Sequence, residues 1–272
     1  MDKINLVKEA NAVQNIVSTK RIKINHIELD ISNEIDKTQS KIYRRNNIDN
    51  IDVSKENKSD KQCKFTVLAD GSDCVVFNSR YTDTKLCVLN FASSKNPGGG
   101  FIRGAMAQEE AICQASNLYS ELSKYMNYYE YNRSHLNKGM YTDGVIFTKD
   151  CVFFRNKFKN CNLKIADIIT CAAPNFKAAR RNGASVEEIN NTMRRRLEHI
   201  LKVAIDNNVR VLALGAFGCG VFHNDIEFVA STIKSLLIDE GYKEYFDEIV
   251  FPMNETSGKN VATFLKYFKN IK

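Results

Sequence analysis

Leu86-Cys87-Val88-Leu89-Asn90-Phe91-Ala92-Ser93-Ser94-Lys95-Asn96-Pro97-Gly98-Gly99-Gly100 is the stretch on which the fold of this chain is read. Its first half is a nearly continuous apolar run, as expected of a central strand buried on both faces. Its second half holds three consecutive glycines, which weaken a strand or a helix. They suit a loop whose backbone comes close to a ligand, or takes φ > 0, with N–H groups free to hold oxyanions. A flexible hinge is the bland reading of the same glycines. In open α/β sheets ligands sit at the carboxyl ends of strands, so this loop is a place to look for a site.

Further strands are expected at Phe65–Leu68, around Val145–Phe147 and Cys151–Phe154, and at Ile165–Ala172, Val209–Leu214 and Glu248–Met253. A helix is expected from Glu109 to Tyr125. The clearest helix follows Ser185, where Glu188 completes a capping box and Ile189, Met193, Leu197, Ile200 and Ala204 keep helical spacing. Arg194 and Arg195 fall off that stripe and read as a solvated face. Asn224 with Glu227 reads as the cap of another helix, and Val261, Phe264, Leu265 and Phe268 as one face of the last. Strands alternating with helices predict an α/β sandwich with a mixed sheet.

Residues 1–62 differ in composition. They are rich in Asn, Lys, Asp and Ile and contain no Gly. Leu6, Ala10, Val13 and Val17 mark a helix in this part, and residues 36–62 read as a polar loop. The expected organisation is therefore a mainly helical, polar N-terminal extension over 1–62 and a catalytic domain over 63–272.

The 272 residues are 43% hydrophobic and 26% charged, with a net charge of +7 from 39 Lys+Arg against 32 Asp+Glu. That balance favours anionic partners in general. No aromatic-basic motif marks a dedicated nucleic-acid binder. No apolar run is long enough to span a membrane. The eight cysteines form no CxxC pair and the four histidines do not cluster, so no metal site is expected. Reduced thiols and a polar start from Met1 to Glu9 predict a cytoplasmic protein.

Seven residues after the glycines comes Gln108-Glu109-Glu110, at the expected start of a helix. Carboxylates there are favoured by the helix dipole, and simple capping is their bland reading. Adjacent helical residues point roughly 100° apart. One acid is thus expected to face a substrate and the other to position it, but the residues alone do not choose between them. A second glycine loop, Gly215-Ala216-Phe217-Gly218-Cys219-Gly220-Val221-Phe222, suits a diphosphate cradle in front of a helix N-terminus. Phe217 and Phe222 read equally as core plugs or as stacking faces. Cys219 reads as a small tolerated residue rather than a nucleophile, since only His223 is near it in sequence.

Val88 to Ser93, the three glycines and Gln108-Glu109-Glu110, together with the second loop, Tyr119, Ala173-Pro174-Asn175 and Met193 to Arg196, resemble the bacterial-type poly(ADP-ribose) glycohydrolases over roughly Phe65–Met253. The resemblance implies a macrodomain-like three-layer α/β/α sandwich and hydrolysis of ribose–ribose O-glycosidic bonds in poly(ADP-ribose), releasing ADP-ribose, with no cofactor. By that carry-over Glu110 is the catalytic acid and Glu109 orients the ribose. Asn96 would meet ribose hydroxyls, and Gln108 would lie with the glutamates against the substrate. Gly98, Gly99 and Gly100 would cover the distal ribose and diphosphate. Gly218, Cys219, Gly220 and Val221 would bind the diphosphate, with Phe222 near the adenine. In this scheme like-charge repulsion from Glu109 and the diphosphate raises the pKa of the acid. The partners implied are the polymer or ADP-ribosylated proteins. A hydrolase of mono-ADP-ribosylated protein would use the same loop. A module that only binds ADP-ribose would not need the acidic pair.

Overall fold

The computed structural model describes residues 2–81, 84–253, 258–269 and 271. Its strands are β1 (Arg21–Ile24), β2 (Ile27–Asp30), β3 (Gln39–Tyr43), β4 (Lys64–Leu68), β5 (Leu86–Phe91), β6 (Val145–Asn156), β7 (Lys159–Cys171), β8 (Val211–Ala213) and β9 (Glu248–Pro252). The first two form a separate hairpin; the other seven make one sheet in the order β3-β6-β7-β5-β8-β9-β4. Pairing is antiparallel from β3 through β6 to β7 and parallel from β7 to β4, so the sheet is mixed, as expected.

The central strand β5 explains why its sequence is almost wholly apolar. Cys87 and Leu89 join the core on one face, and Leu86 and Val88 join the core on the other. Each such aliphatic side chain, fully buried, contributes about 1.5–3 kcal/mol. On one face lie the long helices α9 (Val186–Asp206), α10 (Ile226–Lys234) and α11 (Gly258–Phe268); on the other lie α1 (Lys3–Thr19), α5 (Gln108–Ala115), α6 (Leu118–Ser123) and α7 (Met126–Ser134). Three layers result. Shorter helices α2 (Ser32–Lys37), α3 (Arg45–Asp49), α4 (Ser72–Val75) and α8 (Phe176–Arg181) complete the set.

Several expectations change. The single helix expected from Glu109 to Tyr125 is broken after Ala115, because Ser116 is extended and bridges to Phe153. The two strand signals flanking Lys149 and Asp150 belong to one strand, β6, which carries a register shift between Thr148 and Cys151. Asp150 takes φ +53° there, as at a bulge. The cap of α10 is Asp225, which accepts from the Glu227 amide; Asn224 instead donates from Nδ2 to the carbonyls of Pro174 and Gly218. The Ser185–Glu188 capping box is present as read.

The N-terminal residues are not set apart from the rest by packing. β3, inside the stretch expected to be a polar loop, forms the edge strand beside β6. An edge strand needs few apolar residues, which is why composition hid it. Leu6, Ala10, Val13 and Ile16 of α1 are buried. Gln114 of α5 donates to the Leu6 carbonyl at 3.2 Å. Arg155, itself buried, pairs with Glu9. A boundary at 62/63 therefore has no counterpart in the sheet or in the helix layer over it.

Candidate functional site

The glycine loop leaves β5 and folds back over the start of α5. Gln108 anchors that return. Its side chain accepts from the Phe91 amide at 2.8 Å and donates to the Leu89 carbonyl at 2.7 Å, so it mimics a strand partner. Both amide atoms are thus engaged in holding α5 to β5. Glu109 and Glu110 follow, both buried.

Glu110 accepts from the Gly100 amide at 2.7 Å through Oε1 and from the Ala107 amide at 3.0 Å through Oε2. The second bond is the helix-capping contact of the bland reading, present here alongside a place in the cleft. Glu109 accepts from the Ser93 amide at 2.7 Å and from Asn90 Nδ2 at 3.3 Å, and Asn90 also reaches Thr170 at 3.2 Å. Burial pushes the Glu109 carboxyl up to about 8, and the neighbouring Glu110 adds to the rise against the Ser93 and Asn90 bonds. Desolvation, more than like-charge repulsion, is the main cause of that rise.

Gly99 brings the two acids together. It takes φ +60°, and a Cβ there would meet Glu110 Oε1 at 2.5 Å and Glu109 Oε2 at 2.9 Å. The two carboxylates converge on one point rather than diverging along the helix as its geometry alone suggested. The amides of Gly99 and Gly100 are spent on the Asn96 carbonyl and Glu110. The Gly100 N–H thus holds a carboxylate of the chain itself, where the sequence predicts an oxyanion of a ligand. Gly98, at φ +61°, packs behind against Tyr119 and Cys113.

Asn96, Gly99, Gly100, Glu109, Glu110, Val221 and Phe222 line one cleft of about 360 Å³. In the second glycine loop Gly218 is held tightly, since a Cβ there would lie 2.6 Å from Ala173. The amides of Gly218, Gly220, Val221 and Phe222 make no hydrogen bond to another described residue. These are the open donors that a diphosphate cradle requires. Phe217 is a core plug, fully buried edge-on to Phe91 at 5.8 Å. Phe222 is half-buried and faces the cleft with Tyr141, their rings 6.4 Å apart. The Cys219 thiol bonds to the Phe217 carbonyl at 3.5 Å and burial pushes its pKa up to about 12, which suits an inert thiol.

Sequence reasoning missed Tyr141, Ser93 and Lys95, which also line the cleft. Ser93 acts through its amide, for which no side-chain signal exists. Lys95, next to Asn96 in the loop, was legible as a cation beside a phosphate loop. Arg196, named in sequence only within the family-like stretch Met193 to Arg196, is buried. It bonds to the carbonyls of Ala172 and Met140 and to Asp143 at 3.1 Å, and so ties together the segments that lead into Tyr141 and Pro174. Burial opposes ionisation of Asp143, yet Arg196 and Arg195 hold its carboxyl below the usual range. Arg195, expected on a solvated face, is three-quarters covered in this pairing, while Arg194 stays exposed and pairs with Glu240. Among the described residues no helix is long and apolar enough to cross a membrane.

The family model described as microbial-type PARG, catalytic domain, matches residues 10–156. The crystal structure of poly(ADP-ribose) glycohydrolase (PARG) from Thermomonospora curvata superposes with a TM-score of 0.87 at 26% identity, covering 97% of this chain and 99% of that one. The same protein bound to the inhibitor ADP-HPD gives 0.86 at 27% identity, with 97% and 99% covered. PARG from Deinococcus radiodurans in complex with ADP-ribose gives 0.76 at 30% identity, covering 86% of this chain and 95% of that one. No curated protein matches the chain. With the family model spanning more than half of its residues, the chain belongs to the microbial-type poly(ADP-ribose) glycohydrolase catalytic-domain family.

Proposed function

We propose that Glu110 is the acid–base of this glycohydrolase and that Glu109, protonated near neutral pH, serves it as a neutral partner. The reaction is hydrolysis of the ribose–ribose O-glycosidic bond of poly(ADP-ribose), releasing ADP-ribose. Glu110 gives its proton to the leaving ribose oxygen as an oxocarbenium-like centre forms, then takes one from the attacking water. The observation that carries this reading is the convergence of both carboxylates under Gly99 in one cleft. A proton on Glu109 spares the pair like-charge repulsion once Glu110 has given up its own, and leaves an O–H to donate to a ribose hydroxyl.

Asn96 meets the ribose hydroxyls, and Gly98 to Gly100 close over the distal ribose. The open amides of Gly218, Gly220 and Val221, with the Cys219 backbone between them, take the diphosphate. Phe222 stacks towards the adenine end. The relatives are described as bound to ADP-ribose or to an inhibitor, which supports this placement.

Glu110→Gln tests the assignment. Release of ADP-ribose from labelled polymer should fall by roughly 10²–10⁴ while ADP-ribose still binds. Turnover near the wild-type rate would remove Glu110 from the role.

A further inference from the structure

A second cavity, of about 730 Å³, lies beside the catalytic cleft and is the larger of the two. Strand register places it at the same end of the sheet. Tyr43 ends β3 and pairs with Val145, which begins β6, and Val145 pairs in turn with Cys171, which ends β7. Arg44 and Arg45 leaving β3, and Thr142 to Gly144 entering β6, thus stand at the end of the sheet from which the glycine loop emerges. Tyr141 lines the cleft, and Thr142 after it lines the second cavity. On the far side stand α7 and the residue before it, with Tyr125, Tyr128 and Tyr131. Arg133 of α7 donates to the Lys95 carbonyl at 2.6 Å, joining this wall to the cleft.

The lining has a definite chemistry. Arg44 is exposed and has no ion-pair partner among the described residues. Arg45 reaches Asp49 at 3.2 Å and Asp143 at 3.6 Å, and Lys124 reaches Glu121 at 2.5 Å. Tyr131 is 53% exposed and stacks on His135 with centroids 3.9 Å apart. An unpaired guanidinium in one cavity with an exposed tyrosine ring suits a phosphate joined to a base.

We infer that this cavity receives the leaving side of the polymer, the adenosine diphosphate unit on the far side of the scissile bond. The inference rests on the reading of the cleft as a poly(ADP-ribose) hydrolytic site. In that reaction the ribose held at Glu110 is joined through one oxygen to the ribose of the next unit. That unit must leave the cleft within one glycosidic bond. The cavity adjoining it offers the exposed Tyr131 ring for its base and Arg44 for its phosphates.

Arg44→Ala and Tyr131→Ala test it, by steady-state hydrolysis of poly(ADP-ribose) and by calorimetric titration with ADP-ribose. ADP-ribose fills only the cleft, so its affinity should hold in both variants and report an intact fold. KM for the polymer should rise about 5- to 100-fold, the equivalent of one stacked base or its phosphate contact, with kcat changed far less. The Arg44 variant should also lose part of the salt dependence of polymer binding. If either substitution weakens ADP-ribose binding, Arg44→Gln and Tyr131→Leu replace it in the same assay. Unchanged KM in both variants, with wild-type turnover normal, would overturn the inference and leave the cleft reading standing. A wild-type protein that binds ADP-ribose but releases none from the polymer would overturn the cleft reading itself, and this inference with it.

Discussion

Gly99 sits against Glu110 so closely that a methyl group in its place would lie 2.5 Å from Oε1 of the carboxylate. The same methyl would lie 2.9 Å from Glu109 Oε2, in a residue held at φ +60°. Space and backbone conformation both exclude a side chain there. Gly99→Ala should cost about 1–2 kcal/mol in the backbone alone. It should also push the glutamates out of register, and a misplacement of that size costs about 100-fold in kcat. Thermal melting and single-turnover hydrolysis of the polymer read the two effects separately. A variant with normal kcat would show that the glycine does not set the position of the acids.

Glu109 makes stability depend on pH in a stated direction. Its folded pKa, about 8, lies above the ordinary carboxylate value of 4.5. Between those values the folded state binds more protons than the unfolded state, so stability falls as pH rises. The contribution is fully present below the unfolded pKa and is lost as pH rises through the folded one. Denaturant midpoints from pH 5 to 9 should decline for this reason, and Glu109→Gln should flatten the decline. An equal slope in both proteins would mean that Glu109 is ionised like a surface acid.

Arg196 should be among the costliest residues to remove. It is 1% exposed and spends its guanidinium on Ala172, Met140 and Asp143. Arg196→Ala leaves Asp143 partly buried with one cation fewer and two carbonyls without donors. Breaking such a pair costs about 3–5 kcal/mol. Equilibrium unfolding in urea measures this directly. A loss below about 1 kcal/mol would show that Arg195 and Arg45 suffice for Asp143.

The parts of the site that were legible in sequence share a physical basis. Three glycines in a row have no place inside a strand or helix, so their loop could be read from composition. The nearly continuous apolar run of β5, interrupted by Asn90, is what a strand covered on both faces carries. The edge strand β3 and the break at Ser116 were not legible, because neither depends on a local pattern. β3 needs only a partner, and Ser116 is extended because Phe153, 37 positions later, bridges to it.

The sequence by itself determined that a glycine loop and the triplet Gln108-Glu109-Glu110 stand seven residues apart after a buried strand, and that a second glycine loop precedes a capped helix. These follow from spacing and from the backbone freedom of glycine, which are properties of chain neighbours. Only the tertiary structure decided that Gln108 braces β5, that both carboxylates converge under Gly99, and that burial lifts the Glu109 carboxyl. Convergence depends on how the loop closes over α5. The pKa depends on how completely Asn90, Ser93 and the surrounding core exclude water from one carboxyl, and no local pattern encodes that.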